Sequence, residues 1–467
     1  MIDKEKLDSK IEQMYQEANI PGLAVVAAHK GNIMYEKYAG FRDVANKLPV
    51  TSDTIFGLAS LTKSVVALSI MMLQDKDKID VTDRVVKWIP ELKQWNEFYK
   101  QNITIHHLLT HTAGFSGMNS FHLARRESVE KDPDGTYLLG EFNGNGYVET
   151  VRDLIEAMME ENAPFIAKPG EIFNYSNESY ALLQEVVERA SGQTFAEFTH
   201  EHIFQVLGMT ETMYTFNDLL SEAEVTEIYA FTKEHPKKPF HSPTWWKSGK
   251  IYGAGALKAS AKDVQKYIEL YRANGEVNGT RLISAEAVKT MKTPQATTPN
   301  GVQYGYGLVI GTYQGEELVG HGGGVKGISS YMLAAEEITV VVLTNIAEVA
   351  AENIAVQVFD AWKQVDDKVE LATPEIISLT EKQLARFVGF YETNERQSVD
   401  VTIKEGGLQL RLQNNVISHV KPIGNDQFLL PDGKKVTFLT NADGEVQGIF
   451  RGMRYIQKGS DKLSNSQ

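Results

Sequence analysis

The sequence predicts an α+β domain followed by a small all-β barrel. Three observations carry this reading: strand patterns stand at both ends of the first region with mainly helical sequence between them, an amphipathic helix closes that region, and a strictly alternating stretch follows a charged linker. At roughly 150 residues per domain, a chain of 467 residues has room for one large unit and one smaller one.

In chain order, Leu7, Ile11, Met14, Tyr15 and Ala18 recur at helical spacing over residues 2–18, and Ile20-Pro21-Gly22 stops that helix. Residues 23–28 and 33–38 read as strands around the hairpin-like turn His29-Lys30-Gly31-Asn32. From Ala59 the pattern is mainly helical for about two hundred residues, with loops at Asp132-Pro133-Asp134-Gly135, Asn143-Gly144-Asn145-Gly146 and His235-Pro236-Lys237-Lys238-Pro239. Strands return near Tyr306 at residues 308–312, 317–321, 329–335 and 338–343, and the short polar turns between them force an antiparallel meander. Ala351, Ala355, Phe359 and Trp362 then share one face of a helix over residues 350–362, able to cover the sheet.

Residues 366–378 are expected to link a domain at 1–365 to a second at 379–467, because the stretch from Asp366 to Pro374 carries mixed charge and weak periodicity. In the second domain Val399, Val401 and Ile403, then Leu408, Leu410 and Leu412, alternate with polar residues around Lys404-Glu405-Gly406-Gly407. Turn signals recur at Gly424-Asn425-Asp426, Pro431-Asp432-Gly433 and Asp443-Gly444, the spacing of a small barrel or sandwich.

Composition narrows the function. Lys plus Arg total 47 against 61 Asp plus Glu, a net charge of −14 that argues against nucleic acid or an anionic membrane surface as partner. With no cysteine there is neither a disulfide, a thiolate nucleophile nor a zinc–thiolate site. The longest apolar stretch, around residues 65–73, is closed by Gln74-Asp75-Lys76 and suits a buried helix rather than a membrane span. Met1-Ile2-Asp3-Lys4-Glu5-Lys6 lacks the apolar core of an export signal, so a cytoplasmic location is expected, or an exported one if a leader has been trimmed.

Three segments carry the chemistry. Ser60 and Lys63, in Phe56-Gly57-Leu58-Ala59-Ser60-Leu61-Thr62-Lys63, place a hydroxyl and an amine on the first turn of an apolar helix, a nucleophile beside a base. Alone the pair is weak, since a capping serine and a solvated lysine account for most isolated occurrences of this spacing. Tyr175-Ser176-Asn177 lies on the loop entering a helix whose Leu182, Leu183, Val186, Val187 and Ala190 face a core. Gly320-His321-Gly322-Gly323-Gly324 ends a strand, where glycines let a substrate backbone approach.

In this order, over roughly residues 5–362, the motifs resemble those of the serine β-lactamase and penicillin-binding protein superfamily. The match is to the class C β-lactamase-like branch with its D-aminopeptidase and esterase relatives. Ile105-His106-His107-Leu108-Leu109-Thr110-His111-Thr112-Ala113-Gly114, Val206-Leu207-Gly208-Met209-Thr210-Glu211-Thr212 and Tyr304-Gly305-Tyr306-Gly307 are flanking segments of the same likeness. The resemblance implies a β-lactamase/transpeptidase-like fold and a serine hydrolase working through an acyl-enzyme without a cofactor.

By the same resemblance Ser60 is the nucleophile, and Lys63 and Tyr175 handle the proton, with the formal base between them left open. Asn177, His321 and Gly323 meet the substrate, and the backbone N–H groups of Ser60 and Gly324 form the oxyanion hole. One residue departs from the pattern: β-lactamases of the family carry lysine where this chain has His321, whereas D-aminopeptidase-like and esterase members carry histidine. Small amides or esters are therefore the expected substrates, D-amino-acid peptides first, with a carboxylesterase or a β-lactam-binding sensor of little turnover as alternatives. A small-molecule or peptide substrate, β-lactams as acylating ligands and a homo-oligomer are the partners the resemblance allows.

The second domain resembles the lipocalin-like barrel appended to some of these relatives, where it would cover the cleft or mediate self-association. His106, His107 and His111 read as structural rather than metal-binding. Trp245, Trp246 and Tyr252 sit on a loop that either lines the cleft or packs.

Overall fold

In the computed structural model, residues 2–117, 120–132, 146–215, 224–231, 238–365, 374–393, 397–412 and 416–459 are described. The expected turns at residues 133–135 and 143–145, most of that at 235–239, and linker residues 366–373 lie outside them.

A nine-stranded antiparallel sheet organises the first domain. Its long strands are β1 (Gly22–His29), β2 (Asn32–Asp43), β3 (Val309–Tyr313), β4 (Glu316–Val325), β5 (Ile328–Ala334) and β6 (Ile338–Thr344), in the order β3-β4-β5-β6-β1-β2 with short strands at either edge. Strands from the two ends of the domain meet at its centre, where Leu23 pairs with Thr344 and Val25 with Val342. The β1–β2 turn carries positive φ at Lys30 and Gly31, as a tight turn matched to the strand twist requires.

β1 and β6 read as unbroken apolar runs because both of their faces are buried. Leu23, Val25, Ala27, Val340 and Val342 pack under α1 (Lys4–Glu17) and the C-terminal helix Ala351–Lys363. Ala24, Val26, Val341 and Leu343 face the larger core on the other side. That core surrounds α2 (Thr62–Asp75), in which every residue from Thr62 to Leu73 is buried. Each fully buried Val, Leu, Ile or Met of α2 contributes about 1.5–3 kcal/mol. A helix so enclosed has no solvent face to offer Lys63.

The third motif ends a strand as expected, but that strand continues past His321 through the glycines. β4 runs to Val325 and pairs Gly322, Gly323 and Gly324 with Tyr331, Ser330 and Ser329. Glycine carries no side chain to announce a strand, which is why the apolar pattern ends at His321 while the ladder continues.

The C-terminal region is a closed eight-stranded barrel formed by β7 (Gly389–Glu392), β8 (Ser398–Lys404), β9 (Gly407–Leu412), β10 (Ile417–Pro422), β11 (Gln427–Leu429), β12 (Lys435–Thr440), β13 (Val446–Arg451) and β14 (Arg454–Lys458). The predicted alternation is the inward face: Val399 opposes Leu412, Val401 opposes Leu410 and Ile403 opposes Leu408. Phe387, Tyr391, Phe428 and Phe438 fill the interior together with these aliphatic side chains. Among the described residues no helix is long and apolar enough to cross a membrane.

Candidate active site

Ser60 occupies a 3-10 turn, Ala59–Leu61, that feeds directly into α2. The preceding Ala59 is held at φ 46°, a left-handed conformation that costs a non-glycine residue about 1–2 kcal/mol. The third motif and the strand beside it pack on this turn. Ser330 Oγ donates to Leu58 O at 2.8 Å, and a Cβ at Gly323 would sit 2.2 Å from that same oxygen and 2.3 Å from Ser330 Oγ. Glycine at 323 thus lets β4 close onto the nucleophile turn itself. At Gly324 the space that a Cβ would enter is open.

Lys63 is fully buried one turn into α2, and its Nζ lies 3.3 Å from Ser60 Oγ. The same Nζ donates to Asn177 Oδ1 at 2.9 Å and to Ala254 O at 2.6 Å. Burial pushes the Lys63 pKa well below its ordinary value, and the positive charges of Arg454 and Arg125 push it further. Charged lysine is therefore disfavoured where a neutral amine serves as a base.

Tyr175 places its ring centroid 4.8 Å from Lys63 Nζ. Its hydroxyl is buried without a well-formed hydrogen bond among the described residues. Burial raises its pKa, with Ser60 and Arg454 acting in the opposite direction, so the group is a phenol and not a phenolate in the resting site. An orphaned buried hydroxyl costs about 1–3 kcal/mol, a penalty that a reacting partner removes.

Three supports hold the Tyr175 loop. Ser176 caps α3 (Asn177–Ser191), its Oγ accepting from Ser179 N–H, which aims Asn177 from the first residue of the helix back at Lys63. Ser176 N–H donates to His111 Nδ1 at 3.0 Å, and the His111 ring lies 4.2 Å from that of Tyr175. Because Nδ1 accepts, a neutral His111 carries its proton on Nε2, and burial holds the pKa well below the usual histidine value. Asn174 is the third support: its amide donates to Phe115 O at 2.8 Å and accepts from Tyr455 N–H at 2.9 Å. Tyr455 belongs to the barrel, as does Met453, whose carbonyl accepts Tyr175 N–H at 3.0 Å.

His321 is buried, with its ring 6.3 Å from that of Tyr175. Its Nδ1 donates to Gly322 O at 2.6 Å, which leaves Nε2 to accept from Tyr304 Oη at 3.2 Å. Burial lowers its pKa to about 4, so the ring is neutral at pH 7. Ser60, Lys63, Tyr175 and Asn177 thus meet through α2 and α3, with His321 behind Tyr175 and Gly323 under the nucleophile turn. His106 and His107 stand apart: the first bonds Tyr306 Oη at 2.7 Å, and the second closes a helix capping box with Thr104.

A cleft of 1160 Å3 adjoins the Ser60 turn, with Trp245, Trp246, Tyr252, Tyr214, Ile328 and Arg125 among its walls. Gly57 and Gly255 also line it, and a Cβ on Gly255 would come within 3.3 Å of the Ala59 backbone. Trp245, Trp246 and Tyr252 therefore line the cleft, the first of the two roles their sequence allows. Asp132 accepts from Trp246 Nε1 at 2.7 Å and forms a fully buried ion pair with Lys326, which fixes that wall to the β4–β5 turn. Sequence alone singled out neither Asp132 nor Lys326, nor Asn174, Arg125 or Arg454. Asp132, Lys326 and Asn174 find their partners 59 to 281 positions away in the chain, where no local pattern marks them.

The Beta-lactamase family model matches residues 7–361. Penicillin-binding protein 4* of Bacillus subtilis (strain 168) is 26% identical over 428 residues, 87% of this chain and 87% of that protein. Esterase EstB of Burkholderia gladioli is 27% identical over 380 residues, 73% of this chain and 90% of that protein. Among solved structures, the octameric penicillin-binding protein homologue from Pyrococcus abyssi superposes with a TM-score of 0.70 at 27% identity, covering 98% of this chain and all of that one (100%). With its family motifs gathered around one buried amine and the match running nearly the length of the first domain, the chain belongs to the Beta-lactamase family, whose members are serine hydrolases.

Proposed function

We propose that the protein hydrolyses small amides or esters through an acyl-enzyme on Ser60, with D-amino-acid peptides as the leading substrate class. The observation that carries this is the Lys63 amine, fully buried and 3.3 Å from the Ser60 hydroxyl. Depressed in basicity, Lys63 takes the Ser60 proton as Oγ bonds to the substrate carbonyl carbon. The backbone N–H groups of Ser60 and Gly324 receive the oxyanion. Tyr175, kept as a phenol by burial, gives its proton to the departing amine or alcohol and is reprotonated from Lys63. Water then attacks the acyl carbon along the reverse proton route, releasing the acid and restoring Ser60. Asn177 fixes the Lys63 amine and orients the substrate amide.

Neutral His321 and the similarity to Esterase EstB favour a carboxylesterase as the second reading. It is selected if p-nitrophenyl esters are turned over and D-alanyl amides are not. We also propose self-association, in line with the octameric homologue, to be read from the native mass in solution.

Intact-mass measurement after incubation with a β-lactam and with a D-alanyl ester tests the main reading. The wild type should gain the mass of the acyl group and Ser60→Ala should not, with turnover of the ester falling by about 10³-fold or more in the variant. Equal turnover by both proteins overturns the reading. A lasting adduct without product release identifies a sensor instead.

A further inference from the structure

We propose that Glu178 is a positioning residue for the second motif and for Lys63: its buried carboxylate locks the Ser176 hydroxyl and supplies the negative charge against which the Lys63 amine carries a proton during turnover. The proposal rests on the hydrolase reading above and adds to it a residue that acts through Ser176 and Lys63.

Glu178 is the second residue of α3, and by sequence it is an ordinary acidic residue in a first helical turn, where it complements the positive end of the dipole. Such residues stay in water: Glu97 and Glu286, in first turns elsewhere in the chain, have side chains 71% and 80% exposed. Glu178 is 1% exposed. Taking a carboxylate out of water costs more than a helix dipole offsets, so its position calls for specific partners. Ser176 is one of them. Its Oγ accepts the N–H of Ser179 at 3.0 Å and gives its own proton to Glu178 Oε2 at 3.0 Å. Ser176 N–H is taken by His111 Nδ1, so the hydroxyl and the N–H of this residue are both fixed. Its neighbours Tyr175 and Asn177 are thereby held in place, with Asn177 Oδ1 receiving Lys63 Nζ at 2.9 Å.

Charge gives the second half of the role. Around Lys63 stand Arg454 from the barrel, Arg125 from the cleft wall, His111 from the loop after residues 105–109 and His321 from β4. The rings of Tyr175 and Tyr180 lie 4.8 and 5.6 Å from its Nζ. Both arginines oppose a proton on Lys63, and Glu178 favours it. Lys63 rests as an amine, yet on taking the Ser60 proton it becomes an ammonium within a fully buried helix and must hold that charge until Tyr175 is reprotonated. A carboxylate already fixed beside the second motif stabilises the ammonium as it forms and has no reorganisation left to undergo. Without that charge Lys63 is a weaker base, which stays neutral to lower pH and accepts the Ser60 proton less readily.

The test is the pH profile of kcat/KM for a D-alanyl ester, whose acid-limb midpoint does not depend on the folded fraction of a preparation. Glu178→Gln keeps an acceptor for Ser176 and nearly the same volume but removes the charge. Its acid limb should move to lower pH by about 0.5 or more, and its plateau kcat should fall about 3- to 10-fold with a smaller change in KM. Glu178→Asp, which keeps the charge, should return the limb to the wild-type position. Ser176→Ala cuts the hydroxyl and leaves the charge, so kcat should fall while the limb stays in place. An acid limb unmoved in Glu178→Gln overturns the charge role even where kcat falls, since a merely structural residue would give that result. Full kcat in Ser176→Ala overturns the locking role in the same way. Either result, with Ser60 still acylated in the wild type, leaves the hydrolase reading standing, whereas failure of the wild type to acylate Ser60 or to turn over the ester overturns both.

Discussion

Replacing Asn174 with alanine asks whether the barrel and the hydrolase domain work as one unit. The Asn174 side chain is buried and bridges Phe115 O at 2.8 Å and Tyr455 N–H at 2.9 Å, so it ties a loop of the first domain to the last barrel strand beside Tyr175. Alanine removes both bonds and leaves a buried carbonyl and a buried N–H without this partner. At about 1–3 kcal/mol for each orphaned group, the loss is roughly 2–6 kcal/mol, a large share of the 5–15 kcal/mol typical of a folded domain. The backbone bond from Tyr175 N–H to Met453 O remains but loses its neighbour, so the phenol is seated less firmly, and kcat should fall about 10-fold. Urea unfolding followed by tryptophan fluorescence provides the assay, because Trp88, Trp95, Trp245, Trp246 and Trp362 all lie in the first domain and report whether barrel contacts stabilise it. A stability change below about 1 kcal/mol together with an unaltered kcat would refute the coupling.

His321 gives a pH signature. Its folded pKa of about 4 lies below the unfolded value near 6.5, so the unfolded chain binds the extra proton between those values. The resulting stability is fully present above pH 6.5 and is lost as the pH falls through about 4; replacing His321 with Gln should flatten that dependence by up to about 3 kcal/mol relative to wild type. Full turnover of every accepted substrate by His321→Ala would remove the residue from the site. Gly323→Ala should lower the melting temperature and the acylation rate together, because its Cβ would lie 2.2 Å from Leu58 O, whereas Gly324→Ala, opening onto free space, should leave the melting temperature in place. Equal thermal shifts for the two glycine variants would contradict the close packing of β4 on the Ser60 turn.

Much of the fold is legible in the chain because its signals are local. The two-residue turn at Lys30-Gly31, the doubly buried runs of β1 and β6, and the inward Val399, Val401, Leu408 and Leu410 of the barrel each follow from a period of two or a turn residue at a fixed offset. Ser60 with Lys63, and Tyr175 with Asn177, are legible for the same reason, since helix geometry or a helix cap sets each pair within a few residues. The continuation of β4 through three glycines was not legible, because a strand without side chains has no pattern of its own.

What the sequence alone determined is the order of the motifs, the α+β domain with its trailing barrel, and the types of chemical group available. Only the tertiary structure decided which groups meet: that Lys63 loses water on every side of α2, that Gly323 is required by Leu58 O, and that the barrel hairpin sets Met453, Arg454 and Tyr455 against the Tyr175 loop. The physical reason is distance along the chain. Periodicity and capping act over a few residues, whereas the pKa of Lys63 and the seating of Tyr175 arise from burial and charge contributed by segments up to several hundred residues away.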